Sequence, residues 1–400
     1  MVEYFEELLK KPSLFQDESK LDMNFIPNEL PHREKELSLL SQLFLTLITD
    51  PNSISRKILI TGKTGIGKTV TIKYFGKILK KVSSERNIAI KYAHVNCRKE
   101  RTSYKVLIKI IRLIKKNFPK RGYSPQDLLE ILIDFLNQQD MHILIVLDEL
   151  SYLINKGEDL IYSLTRINDD SVNFQERLSI IGIVRDISCI NNLDYSTVST
   201  LQRNIIKFSN YSKKQIFDIL KYRAHLSLKE NVIADDLIKM IVDSTYINGD
   251  IRNGLNVLWK AAKIAEGRDL KFINTECVRL GSQEMVPFST LDILKYMSSH
   301  KLFFLLSIIK GLKSTYETAI SFLDILRRYQ IICENLELNP RSNSQLWNYL
   351  QEFKRESIVV IEVLSEKIIG RRALIQIPEI NLSKLEKIII EILKSKGLNV

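Results

Sequence analysis

Apolar positions along this chain follow two periods. In the first half, strands are expected at Ile58–Thr61, Ile88–Asn96, Ile143–Glu149, Leu178–Val184 and, shorter, Asn204–Phe208, and the run from Ile143 is near-continuous in apolar character until its two terminal carboxylates. Runs of this kind mark strands covered on both faces of a parallel sheet. Between them the apolar residues return at helical spacing. One amphipathic helix is expected to run through about Ile48, broken by Pro51-Asn52-Ser53. Another begins at Val70, and a third spans Asp127 to Asn137 behind Ser124-Pro125. Strands alternating with helices predict an α/β fold built on a doubly wound parallel sheet.

From Ser212 to about Glu284 the pattern becomes wholly helical, which marks a second domain. It shifts again near Pro287. Helices are expected around Leu302–Ile309, Ser314–Arg328 and Ser342–Glu356. A strand Ile358–Val363, a polar turn with Gly370-Arg371-Arg372 and a returning strand Ala373–Gln376 follow. Helices leading into a hairpin with a basic tip predict a winged helix-turn-helix. The expected division is an N-terminal arm over 1–20, an α/β domain over 21–210, a helical domain over 211–286 and a winged helix domain over 287–400.

The first strand runs into Gly62-Lys63-Thr64-Gly65-Ile66-Gly67-Lys68-Thr69, and a helix follows. A strand, a Gly-rich turn and a helix in that order form a phosphate cradle. Glycines let backbone N–H groups converge on the phosphates, and the helix N-terminus adds partial positive charge. Thr64, Gly65, Ile66, Gly67, Lys68 and Thr69 are therefore the expected nucleotide-binding residues. Lys68 is suited to the β- and γ-phosphates and the Thr69 hydroxyl to Mg²⁺. Some eighty residues on, Asp148-Glu149 ends a buried strand, at the strand end where open α/β sheets place their ligands. Asp148 is the expected second Mg²⁺ partner, through water, and Glu149 the residue that orients or polarises the attacking water. The implied cofactors are ATP or ADP with Mg²⁺.

A net charge of +12 and a pI near 9.3 favour a polyanionic partner. Its distribution sharpens the point. Between Arg98 and Arg121 stand ten basic residues, Arg98, Lys99 and Arg101 first among them, against the single acidic Glu100. Basic residues without interleaved carboxylates predict contact with DNA phosphates rather than an ordinary solvated face. The four cysteines lie far apart with no C-x-x-C pair, which argues for reduced thiols and against a zinc site. No apolar run approaches the ~18 residues of a membrane span. The acidic start, with Glu3, Glu6 and Glu7, is unlike a signal peptide, so a soluble intracellular protein is expected.

These motifs together resemble an archaeal replication initiator of the origin recognition complex and Cdc-six type, an AAA+ ATPase family. The resemblance runs through Phe15-Gln16-Asp17-Glu18, Leu30-Pro31-His32-Arg33-Glu34, the phosphate loop, Val95-Asn96-Cys97-Arg98, Val146-Leu147-Asp148-Glu149, Gly249-Asp250-Ile251-Arg252 and Leu346-Trp347-Asn348-Tyr349-Leu350. It implies an AAA+ base, an all-α lid and a C-terminal winged helix domain. It also implies roles: the segment holding Arg33 beside the adenine, Tyr211 and Arg223 in contact with nucleotide, and Arg252 on the γ-phosphate. The basic stretch after Asn96 corresponds to an initiator-specific insertion that touches DNA. Ser342–Glu356 corresponds to a recognition helix, whose Leu346, Leu350 and Phe353 form an apolar face and leave Ser344, Gln345 and Asn348 to a groove. Arg371 and Arg372 fall at the wing tip, suited to a minor groove.

Two positions depart from the family pattern. Arg185, in Ile183-Val184-Arg185-Asp186, stands where an asparagine usually senses the γ-phosphate. Ser196 stands where an arginine finger is usual, with Arg203 nearby. Slow turnover, used as a switch, is the expectation. The implied function is an ATP/ADP-switched protein that binds double-stranded DNA at replication origins, nucleoid-associated in the cytoplasm. Initiator paralogues and the replicative helicase are candidate partners, and no membrane partner is expected. A transcriptional regulator with structural nucleotide and a clamp-loader-like ATPase remain as alternatives.

Overall fold

In the computed structural model, residues 6, 12–51, 53–154, 160–166, 176–283, 288–315, 319–356, 358–366, 370–377 and 381–398 are described. Five strands, β1 (Lys57–Thr61), β2 (Ile90–Asn96), β3 (His142–Asp148), β4 (Leu178–Ile183) and β5 (Ile205–Lys207), form one sheet in the order β2-β3-β4-β1-β5. Every pairing is parallel. Sheet position explains why the interior strands β3 and β4 are buried at every position, whereas the edge strands β2 and β5 are not. Ile143, Ile145 and Leu147 of β3 face one core, with the helices Ser103–Ile114 and Pro125–Gln138. Leu144 and Val146 face the other, with Ile72, Phe75 and Leu79 of the helix Lys68–Glu85. Both faces are covered, so no position on β3 has to be polar until the carboxylate at its end.

Contacts divide the chain into two compact units. One comprises 16–228 and 245–251; the other comprises 1–15, 229–244 and 252–400. The first holds the sheet and the helix Lys213–Ser227, whose capping box joins Ser212 and Gln215. The second holds most of the helical segment, through Thr275–Gln283, and the C-terminal module.

In the C-terminal module a three-stranded antiparallel sheet runs β6 (Ile320–Ser321), β8 (Gly370–Gln376), β7 (Val360–Glu366). Helices Ser299–Thr315, Phe322–Asn335, Asn343–Arg355 and Leu382–Ser395 surround it, with Phe303, Phe304, Tyr329, Leu350, Phe353 and Ile389 in their common core. The single helix expected over Ser314–Arg328 is not formed. The first helix stops at Thr315, Ile320 pairs with Ile375, and a new helix starts when the Ser321 side chain accepts from the Asp324 N–H. A strong N-cap and a strand partner outweigh the continuing helical periodicity. The helices Phe288–Lys295 and Leu382–Ser395 are additions to the sequence reading.

Candidate nucleotide site and nucleic-acid interface

The Gly-rich turn is built as its glycines require. Gly65 and Gly67 have φ of 78° and 88°, and Gly67 caps the helix Lys68–Glu85. Space is as decisive as the dihedral. A Cβ on Gly67 would lie 2.7 Å from the Tyr211 hydroxyl, and one on Gly65 would lie 2.7 Å from Asp250 Cα. The Ile251 N–H donates to the Gly65 carbonyl at 3.2 Å. Lys68 Nζ donates to the Gly62 and Lys63 carbonyls, the latter at 2.6 Å. The ammonium is thus held within the loop by main-chain oxygens.

Beneath the loop lies Asp148, only 3% exposed. The Thr69 hydroxyl donates to its Oδ2 at 2.9 Å, and His94 Nε2 is 3.1 Å from the same oxygen. The Tyr92 hydroxyl lies 3.0 Å from His94 Nδ1. Burial alone would raise the Asp148 pKa. The hydrogen bond and charge of His94, the Thr69 hydroxyl and the Glu149 N–H together outweigh it and hold the carboxyl below its ordinary value. An ionised carboxylate one hydrogen bond from a threonine hydroxyl is a donor set that fits a hard divalent cation. Among the described residues no group of three or more His, Cys, Asp or Glu could hold a metal ion, and a cation held by Thr69 and Asp148 would need further oxygens from phosphate or water. Glu149 has φ 55°, and its Oε2 accepts from Arg185 Nε at 3.2 Å.

Arg33 is 4% exposed and serves as a strut. It donates to Glu36 at 2.7 Å and to the Ile66 carbonyl at 2.6 Å, and its guanidinium lies 4.1 Å from the Tyr211 ring centroid. These contacts bring Arg33, Ile66, Gly67 and Tyr211 together. Arg223 sits apart from that group. It donates to the Lys20 and Asp22 carbonyls at 2.7 and 2.8 Å and faces the Phe25 ring. Burial lowers its pKa to about 10, still leaving it cationic at neutral pH. Arg252 belongs to the second unit, near the start of the helix Ile251–Gly267, and donates to Asp292 at 2.9 Å. Ser196 lies in the first turn of the helix Tyr195–Gln202, capped by Asp194. Sequence reasoning gave no role to His94, Tyr92 or Asp250. For His94 no sequence signal existed: it meets the carboxylate because β2 and β3 pair in register, with Asn96 opposite Asp148.

The nucleic-acid candidates fall in three places along the chain. In the helix Asn343–Arg355, Leu346, Leu350 and Phe353 are buried, whereas Ser344, Gln345 and Asn348 are exposed. Arg371 and Arg372, expected in the turn before a strand that begins at Ala373, instead pair within β8, with backbones opposite Ser365 and Leu364; their side chains and residues 367–369 lie outside the described part. In the basic stretch, Lys99 is exposed, whereas Arg98 is 5% exposed with its guanidinium 5.2 Å from the Tyr152 ring. Arg101 Nε donates to the Arg98 carbonyl at 3.0 Å. Lys105, Lys115, Lys116, Lys120 and Arg121 are exposed.

A parallel sheet in this order, with a Gly-rich loop after β1 and an acidic pair after β3, defines an AAA-type P-loop domain; here it is joined to a winged helix module. Comparison with known families agrees segment by segment. Residues 55–184 match the AAA domain, 217–283 the Cdc6 AAA+ ATPase-type lid domain, and 292–384 the CDC6 C-terminal winged helix domain. The ORC1-type DNA replication protein 2 of Sulfolobus acidocaldarius is 31% identical over 387 residues, covering 93% of this chain and 92% of its own. The ORC1-type DNA replication protein of Thermococcus kodakarensis is 28% identical, covering 92% and 89%. The Aeropyrum pernix ORC1 protein, solved in complex with DNA, superposes with a TM-score of 0.80 at 26% identity, covering 94% and 97%. The chain belongs to the ORC1-type DNA replication proteins. Among the described residues no helix is long and apolar enough to cross a membrane.

Proposed function

We propose that this protein takes part in the initiation of DNA replication as a nucleotide-regulated, double-stranded-DNA-binding factor that recognises origins. The observation that carries the nucleotide half is the meeting of Thr69 and Asp148 at 2.9 Å beneath a glycine loop that holds Lys68. In this reading Lys68 and the loop N–H groups bind the phosphates of ATP or ADP. Thr69 and Asp148 hold Mg²⁺, which when bound neutralises phosphate charge. Glu149 orients the attacking water. Arg33 and Tyr211, packed on each other, wall the base-binding side, and Arg223 fixes the segment that leads to it. Arg252 is assigned to phosphate binding on the family resemblance.

DNA binding rests on the exposed Ser344, Gln345 and Asn348 for base edges and on Arg371 and Arg372 for the flanking groove. The complex of the A. pernix relative with DNA supports this half. Lys99 and the exposed lysines that follow are the better-placed phosphate contacts of the basic stretch. Arg101 leans on the Arg98 carbonyl, and Arg98 packs on Tyr152. The functional division is an arm (1–20), base (21–210), lid (211–286) and winged helix (287–400). Initiator paralogues and the replicative helicase are the partners this role calls for.

Titration with a fluorescent ATP analogue tests the nucleotide site. Lys68→Ala abolishes binding and Thr69→Val removes its Mg²⁺ dependence; unchanged affinity in both variants would refute the assignment.

A further inference from the structure

Resting on the nucleotide reading above, we infer that Arg185 is a positioning residue that restrains hydrolysis by engaging the Glu149 carboxylate. Strand register brings the two together. Leu147 of β3 pairs with Gly182 of β4, so Glu149 and Arg185 leave adjacent strands at nearly the same level. The Leu150 N–H donates to the Ile183 carbonyl at 2.9 Å, and the Val184 N–H donates to the Ile60 carbonyl at 2.8 Å. Both residues therefore project from anchored backbone. Glu149 also holds a left-handed φ of 55°, uncommon for a residue with a Cβ, which fixes the direction in which its side chain leaves. The resulting pair, 3.2 Å between Arg185 Nε and Glu149 Oε2, is only about a quarter exposed on each side.

The chemistry follows from geometry. A carboxylate that orients a water needs a lone pair and a rotamer directed at that water. Here Oε2 is an acceptor for a guanidinium whose planar donors fix carboxylate orientation. The asparagine usual at position 185 in similar proteins carries no charge and cannot form this ion pair. Substituting arginine there converts a phosphate-sensing position into a restraint on the water-orienting glutamate. The protein then dwells in its nucleotide-bound state, as a switch requires.

The test uses the full chain as wild type, Arg185→Asn, Arg185→Lys, Glu149→Gln and the Asn/Gln double variant. Single-turnover hydrolysis of ATP is measured alongside affinity for a fluorescent ATP analogue. Urea unfolding without nucleotide is the third readout. Positioned acid–base groups contribute roughly 10²–10⁴ in rate, and an ion pair of this exposure withholds part of that. Arg185→Asn is expected to hydrolyse about tenfold faster at unchanged nucleotide affinity, and adding Glu149→Gln erases the gain. Arg185→Lys, which keeps the charge, remains near wild type. The two single substitutions shift the unfolding midpoint non-additively, because they break the same pair. A rate for Arg185→Asn equal to or below wild type, with nucleotide still bound, overturns the restraint and leaves the nucleotide site intact. Absence of nucleotide binding by the wild type overturns both.

Discussion

The helix Asn343–Arg355 has a buried face and an exposed one, and the proposed role in DNA reading belongs to the exposed face alone, so substitutions separate packing from recognition. Leu350 is fully buried between Leu346 and Phe353, and Phe353 stacks on Phe304 with ring centroids 6.2 Å apart. Truncating it leaves a cavity in a close-packed module, and Leu→Ala changes at such sites cost roughly 2–5 kcal/mol. Gln345 and Asn348 are exposed on the opposite face, where substitutions fall within about ±0.5 kcal/mol. The Ser342 cap accepts the backbone N–H of Gln345, so removing that side chain leaves the cap in place. If these two amides read base edges, each good bidentate pairing gives about 1–3 kcal/mol of discrimination, or roughly 5- to 150-fold. The assay pairs urea unfolding with binding to two duplexes at one salt concentration. One duplex is selected by the wild type from a random pool; the other is its scrambled counterpart. Leu350→Ala should lose stability and keep the ratio of the two affinities. The double variant Gln345→Ala, Asn348→Ala should keep stability and lose the ratio. Equal weakening on both duplexes by the double variant would refute the groove assignment, and a Leu350→Ala protein as stable as wild type would refute the packing.

Three further outcomes are expected. Neutralising Arg371 and Arg372 should weaken binding on most sequences and reduce the salt slope by about 0.9 for each DNA phosphate that is no longer neutralised, read from affinities at several salt concentrations. Multiple-turnover hydrolysis should run well below the ~10 s⁻¹ typical of enzymes, with ADP retained on purification, and Ser196→Arg should speed it only where identical subunits meet through the Tyr195–Gln202 helix. His142, 1% exposed at the start of β3, has its pKa lowered by burial from 6.5 to about 4. The unfolded chain therefore takes up this proton first: stability is complete above pH 6.5 and falls between 6.5 and 4 by about 3 kcal/mol, and a His142→Asn variant should lose that slope in urea unfolding followed across pH.

The loop geometry of the candidate nucleotide site was legible because its chemistry demands local spacing. A glycine loop must follow a strand directly, and a buried run that ends in Asp148 has few uses beside such a loop. The apolar stripe Leu346, Leu350, Phe353 was equally plain, since helix periodicity separates a packed face from a wet one. What stayed hidden depends on register between distant strands. Nothing near Glu149 in sequence announces that Arg185 will meet its carboxylate, or that Asp250 will press against Gly65. His94 reaches Asp148 only because β2 and β3 pair without a slip. The helix expected over Ser314–Arg328 failed for a different reason: its apolar period runs through a serine whose capping hydrogen bond starts a new helix. Exposure of a charge run was likewise uneven. Arg98 reads as one of ten equivalent cations, yet its guanidinium packs on Tyr152 while Lys99 beside it faces solvent.

The central claim is that this nucleotide-binding chain acts on DNA where replication begins. Mapping the protein on its own genome in growing cells, together with replication start points measured from marker frequency in the same culture, tests it most directly. The account predicts discrete sites that coincide with those start points and that disappear when Gln345 and Asn348 are replaced by alanine. Occupancy confined to promoters, away from every start point, would contradict it.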